Sequence, residues 1–349
     1  MMKQQHSQQE DQIFDLLGVM IRQERTRYRV VNYLQREMVY ECQQQQSQYV
    51  VEACASITNN QYAVKKSQSS TSLRDVQGDV GNSSPRSART TSGPLRIEST
   101  ASPVSDRAVQ FSFWRQQMFD WACMVTDCFS IDREVVAASF NLLDRYVARE
   151  LSSHSSSTCP DDYSPALVSP ISREDFQLFS MTCLYITVKI LEPYPRKLSL
   201  EALVDMSRGF YTPDDIAVTE REIMTALSWH LHPPTAIGFS RMYWSLLAST
   251  DATEPSSAVQ TTCATLTELA VANAEFIDSP PSLVGLAATV LAYRLPANTN
   301  AHDTDQNGCS AAVHEAQARL LLAKLAPLVE PQAQQFHAIY TQLEALYGN

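Results

Sequence analysis

Four charged side chains sit where the surrounding pattern calls for hydrophobes: Arg115, Asp144, Lys189 and Glu220. A charge buried alone is costly, so each needs a partner or a surface. Arg115 borders the apolar stripe Phe111, Trp114, Met118, Trp121 and Val125, and Asp144 lies between Phe140 and Val147 on the next apolar segment. A buried ion pair clamping two helices is the simplest solution, and its role is structural. Lys189 interrupts the most apolar stretch of the chain, and Glu220 falls on the stripe Ile216, Glu220, Ile223, Leu227. Two readings stand for this second pair. Either the two side chains meet each other in a core, or they lie at a surface where another protein supplies the partners. In that case Ile190, Met224 and Trp229 are interface anchors.

Other chemistry finds little support. His230 and His232 flank Leu231, but alternate residues of a helix point to different faces, which suits one metal ion badly. The chain has no HExxH, no glycine-rich phosphate loop and no convincing Ser/His/Asp set. The expectation is a protein that is not an enzyme and uses no metal and no cofactor. The eight cysteines include no CxxC pair and sit mostly in apolar surroundings, as free thiols of a reducing, nuclear or cytoplasmic compartment would. A formal charge of −11 disfavours nucleic acid as a partner. The longest apolar run, Leu178 to Leu191, contains Lys189 and falls short of the ~20 residues that cross a membrane.

The elements that must carry these residues read as helices throughout. A helical period over 11–41 runs through Ile13, Leu17, Ile21, Tyr28, Val31 and Leu34. Residues 65–107 turn to Ser, Thr, Pro and Arg, including Ser84-Pro85 and Ser102-Pro103, and read as a disordered linker. From Phe111 five helices are expected: one through Val125, one over 132–149, one over 171–192 ended by Pro193, a short one near 198–207, and one from Thr212-Pro213 to about Leu231. A second set of five follows: Thr235 to Ala248, 256–277, Pro280 to Arg294, 309–328 and 331–347. With 349 residues and only nine glycines, the fold class is all-α, two tandem five-helix bundles after an N-terminal helix and a linker.

Several of these segments together resemble the cyclin family. Trp114-Arg115-Gln116-Gln117-Met118-Phe119-Asp120-Trp121 is similar to the first helix of the cyclin box, and Asn141-Leu142-Leu143-Asp144-Arg145-Tyr146 to its second. Gln177-Leu178 and Thr187-Val188-Lys189-Ile190-Leu191-Glu192 resemble the third. Val218 to Leu231, followed by Pro234-Thr235, resembles the fifth. The positions the family holds most strictly fall on Arg115, Asp144, Leu178, Lys189 and Glu220.

The resemblance divides the chain into an N-terminal helical segment (1–64), the linker (65–107), a first box (108–233) and a second, looser box (234–349). It implies a regulatory subunit of a cyclin-dependent kinase in cell-cycle control, with a transcription-associated cyclin or cyclin-fold transcription factor as the alternative. It tips the second pair toward the partner reading, with Lys189, Ile190, Glu220, Met224 and Trp229 on the kinase. It also implies a groove for docking peptides of substrates or inhibitors at Trp114, Met118, Trp121 and Gln177. There Gln117 stands in place of an apolar residue and Met124 in place of an acidic one. Leu191 replaces the first of two acidic residues after the lysine motif. The loop 151–170 is long for the family, and the only Arg-x-x-Leu match noted, Arg319 to Leu322, falls inside an expected helix.

Overall fold

The computed structural model describes residues 2–35, 104–155, 171–192, 198–249, 254–295 and 307–348, and among them there is no strand. The expected linker up to residue 103, both Ser-Pro sites and the 156–170 loop lie outside the described residues. Leu34–Val109 forms a unit separate from the one that contains Met1–Tyr33 and Gln110–Asn349.

The described helices are α1 (Met2–Arg25), α2 (Val104–Cys128), α3 (Glu134–Ser155), α4 (Arg173–Leu191), α5 (Leu200–Met206), α6 (Pro213–Ala226), α7 (Ala236–Ala248), α8 (Ser257–Ala272), α9 (Pro281–Arg294), α10 (Asn307–Val329) and α11 (Ala333–Gly348). Single 3-10 turns, Ala274–Phe276 and Glu330–Gln332, follow α8 and α10. Thus α2–α6 and α7–α11 each supply five helices.

Local chemistry starts these helices. Ser172 and Asp175 form a reciprocal capping box before α4, and Thr212 and Asp215 another before α6, where Pro213 takes the first helical position. Thr235 accepts from Gly238 N at 3.1 Å to start α7.

Packing follows from which helices are apolar all round. In the first set, α3 buries Val135, Val136, Phe140, Leu142, Leu143, Tyr146 and Val147. In the second, every residue of α9 from Ser282 to Tyr293 is buried, as expected of a helix surrounded by others. Ile13 and Leu17 of α1 belong to that second core, with Phe239, Leu246, Leu266 and Leu291 among its members. The N-terminal helix therefore packs on the second set of helices although it precedes the first in sequence.

The structure corrects four readings of the sequence. The period expected over 11–41 is not one helix: α1 ends at Arg25 and the chain turns, with Tyr28 N donating to Gln23 O at 3.1 Å. The inward face of α2 carries Phe111, Arg115, Phe119, Ala122 and Thr126, while Trp114, Met118 and Trp121 are half-buried. Ion pairing lets the Arg115 guanidinium go inward, which rotates the bulky indoles toward the surface. Helix α6 ends at Ala226 rather than Leu231, because Ser228 and Trp229 both take left-handed backbone conformations, φ 52° and 60°. Helix α8 stops at Ala272, where Asn273 turns extended and its side chain caps the 3-10 turn.

One contact between α7 and α9 tolerates no side chain. A Cβ on Gly285 would lie 2.4 Å from the Ala236 carbonyl oxygen and 3.1 Å from Phe239 Cβ. Both obstacles are backbone or near-backbone atoms of a packed helix. Gly285→Ala is expected to cost ~1–3 kcal/mol, the usual range for overpacking. A chemical-denaturation curve would read this as a lower midpoint at unchanged slope, and an unchanged midpoint would mean that α7 and α9 are not this close.

Candidate functional site

Two ion pairs organise the charged residues singled out above, in opposite environments. Arg115 on α2 and Asp144 on α3 are almost wholly shielded from water, with side chains 3% and 5% exposed. Their geometry is bidentate: Arg115 Nε donates to Asp144 Oδ1 at 3.1 Å and Nη2 donates to Oδ2 at 2.9 Å. The remaining nitrogen, Nη1, donates to the carbonyls of Val271 at 2.5 Å and Ala272 at 3.1 Å. These end α8, whose last carbonyls have no partner within the helix and carry its negative dipole end. Tyr33 completes the group by donating its hydroxyl to Asp144 Oδ1 at 3.2 Å. Burial pulls the Arg115 pKa down, but the charge and hydrogen bonds of Asp144, joined by Tyr33, leave it above its ordinary value. Burial, and then the Asp144 charge, push the Tyr33 phenol well up. Each of these contacts joins one segment of the fold to another, so the cluster works as a brace.

Lys189, at the end of α4, and Glu220, on α6, also meet, with Nζ 2.5 Å from Oε1. Here the lysine side chain is 47% exposed and the glutamate 15%. The ammonium also lies 4.7 Å from the centroid of the Tyr185 ring, one turn back on α4, a cation–π contact. Glu220 fits a stripe of buried Ile216, Ile223 and Leu227 because its carboxylate reaches the edge of that stripe. The two residues pair with each other, and they do so at a surface rather than in a core.

Apolar residues that follow each member of that pair in the chain are open to solvent in whole or in part. Ile190 is 42% exposed and Trp229 67%, while Met224 is half-buried. Trp229 is held by backbone bonds: its N donates to Met224 O at 2.9 Å, and the next N–H, of His230, donates to Leu227 O at 3.1 Å. A bulky residue in the left-handed region is unusual and marks either strain or use. Support comes from α3. Arg145 Nη2 donates to His230 O at 2.9 Å, and Arg149 donates to Ala226 O. Arg145 in turn lies over the Tyr28 ring at 5.1 Å, Tyr28 meets the His230 ring edge-on, and Asn141 Nδ2 donates to Tyr28 O at 3.3 Å. Burial draws the Arg145 pKa down to about 10, which leaves it charged at neutral pH.

Sequence reasoning missed the contacts of two residues here, Tyr185 and Tyr28. Tyr185 lies one turn before Lys189, a spacing that could have been read. Tyr28 gave no signal, because its partners are far away in the chain.

The residues expected to form a docking groove are partly gathered. Trp114 on α2 packs with its ring 5.2 Å from Phe111 and 6.1 Å from Phe176 on α4. Gln177 is the next residue on α4 and bonds to Met181 Sδ at 4.0 Å. Met118 and Trp121 continue along the half-buried face of α2, and Met124 is 60% exposed beyond them.

Removing the buried arginine separates the two kinds of pair. Arg115→Ala would leave the buried Asp144 charge with only the Tyr33 hydroxyl and would strip two helix-end carbonyls of their donor, at a cost of about 3–5 kcal/mol. Lys189→Ala, at a half-exposed position, is expected to change the melting temperature little. A thermal melt of both variants checks this, and equal losses would contradict the difference in burial.

Residues 100–232 match the family model of the cyclin N-terminal domain. A G1/S-specific cyclin-E of Drosophila melanogaster is 26% identical over 132 residues, 38% of this chain and 16% of that protein. A G1/S-specific cyclin-D1 of Mus musculus is 23% identical over 180 residues, 52% of this chain and 53% of its own. The chain thus spans no more than about half the length of these relatives. The solved structure of a viral cyclin from herpesvirus saimiri aligns at 16% identity and TM-score 0.40, over 60% of this chain and 86% of its own.

Proposed function

We propose that this cyclin-box protein is the non-catalytic regulatory subunit of a cyclin-dependent protein kinase and acts in cell-cycle control. The observation that carries the reading is the Lys189–Glu220 pair, half open to solvent, with exposed Ile190 next to Lys189 in the chain and exposed Trp229 just past the end of the helix that carries Glu220. An ion pair at the edge of an apolar patch offers a partner a charged donor, a charged acceptor and anchors at one place. The similarity to G1/S-specific cyclins D1 and E supports the cell-cycle assignment.

The mechanism is a population shift. Kinases need a lysine–glutamate ion pair that forms only when a regulatory helix is docked. A surface that binds the docked position better than the undocked one moves the equilibrium by that difference in affinity. Lys189 and Glu220 would orient the contact, and Ile190, Met224 and Trp229 would anchor it. The face of α2 with Trp114, Met118 and Trp121, together with Gln177, is the place for substrate or inhibitor peptides. Gln117 and Met124 there make it less apolar at one position and less acidic at another.

Glu220→Ala and Trp229→Ala are expected to keep the fold and to weaken kinase binding at least tenfold. That fold-change corresponds to ~1.4 kcal/mol, and loss of a charge-assisted interface contact can cost about 2–5 kcal/mol. The measurement pairs a thermal melt of each variant with calorimetric titration against a panel of purified cyclin-dependent kinases. Wild-type affinity in both folded variants, or no binding of any kinase by the unaltered chain, would sink the proposal.

A further inference from the structure

The chain carries a formal charge of −11, yet Arg22, Arg25, Arg27 and Arg29 crowd together at the end of α1 and just after it. All four are exposed. The one acidic residue among them, Glu24, is turned inward. It is 4% exposed, and its carboxylate accepts from Ser282 N at 2.9 Å and from the Ser282 hydroxyl at 2.5 Å. The positive charge of this stretch is therefore uncompensated at the surface. Among the described residues none of the four arginines pairs with a carboxylate, and Arg25 Nη2 donates to the neutral amide oxygen of Gln332 at 3.1 Å. Arg22 and Arg25 are three apart on one helix, where like charges are neighbours and repel. Anionic groups are what this surface lacks.

A cleft of about 440 Å³ opens beside the arginines. Arg25 and Arg29 line it, and Tyr28, Val30, Pro234 and Pro280 are among its apolar walls. That volume lies within the ~300–1,000 Å³ of sites that enclose a ligand, so a large apolar side chain can enter. Of the carboxylates that line it, Glu24 is held by Ser282 and Asp144 by Arg115, which leaves the exposed Asp278 against two open guanidiniums. The adjoining chain, Arg29 to Val31, is neither helix nor strand, and its backbone bonds to no other backbone among the described residues. Unpaired backbone at a surface can take an extended segment alongside it.

We propose that this surface docks an acidic linear segment of another protein. Its carboxylates pair with Arg22, Arg25, Arg27 and Arg29, with the bidentate geometry that guanidiniums favour. An apolar side chain between those carboxylates fills the cleft. Nucleic acid would meet the same arginines, but the remaining charge of the chain repels a phosphate backbone that extends past them. The site uses none of Lys189, Ile190, Glu220, Met224 and Trp229, and it stands whether or not a kinase binds.

The test titrates the full chain into a fluorescein-labelled peptide, EEDFDEE, and follows anisotropy. Two control peptides each lack one feature: QQNFNQQ has no charge, and EEDGDEE has no side chain for the cleft. EEDFDEE is expected to bind at least about tenfold more tightly than QQNFNQQ and measurably more tightly than EEDGDEE, and its affinity is expected to fall as salt is raised. Arg25→Gln combined with Arg29→Gln is expected to erase the advantage over QQNFNQQ. Arg173→Gln combined with Arg221→Gln removes the same charge from exposed positions elsewhere and is expected to keep it. The peptide comparison needs no variant, so it carries the test even if a variant fails to fold. Equal binding of EEDFDEE and either control peptide overturns the proposal. So does an advantage lost as fully in the second double variant as in the first, or tighter binding of a labelled oligothymidylate than of EEDFDEE.

Discussion

Arg115 commits all three of its nitrogens to buried partners, and much of the architecture meets at its guanidinium. Nε and Nη2 hold Asp144, which ties α2 to α3, and Nη1 holds the end of α8 through Val271 and Ala272. Asp144 also receives Tyr33, from the chain that follows α1. Four segments distant in sequence thus share one cation and one anion. A planar guanidinium is suited to this, since it can face a carboxylate with one edge and carbonyls with another. Lysine has no second edge to offer.

The same chain uses charge differently at its two ion pairs. The Arg115 pair is dry and bidentate, and its value lies in leaving nothing unpaired. The Lys189 pair has a single contact and an exposed ammonium. Water stands ready to solvate either member, so this pair can exchange its partner for another at small cost. What makes it weak as a brace makes it usable as a contact surface.

How much of this could be read from the residues depends on the range of the interaction. The pairing of Arg115 with Asp144 was legible because two charges interrupted apolar faces, and so were the starts of α4, α6 and α7, because Ser172, Thr212-Pro213 and Thr235 cap locally. The end of α6 was not, since Ser228 and Trp229 are not glycine and nothing local announces a left-handed turn. The face of α2 was misjudged for a related reason: Trp114 and Trp121 repeat at helical spacing as well as the true inward residues do, and only the ion pair decides the rotation. The attachment of α1 to the second set of helices was invisible. The distant donors that hold it, the Ser282 backbone N–H and hydroxyl for Glu24 and the Lys324 ammonium for Glu10, carry no spacing signal.

That attachment bears on what a cut in the chain would do. Residues 2–33 bury Ile13 and Leu17 in one core and place Tyr33 on the central aspartate. They also set the Glu24 carboxylate on the first turn of α9, where Pro280 offers no cap of its own. A peptide bond broken between residues 36 and 103 would sever the covalent path while leaving every one of these contacts in place. The product would be a two-piece molecule held by noncovalent complementation, running as one species in native sizing and as two under denaturation. The amino-terminal piece would behave as a tight ligand of the remainder, with an affinity inherited from intramolecular packing.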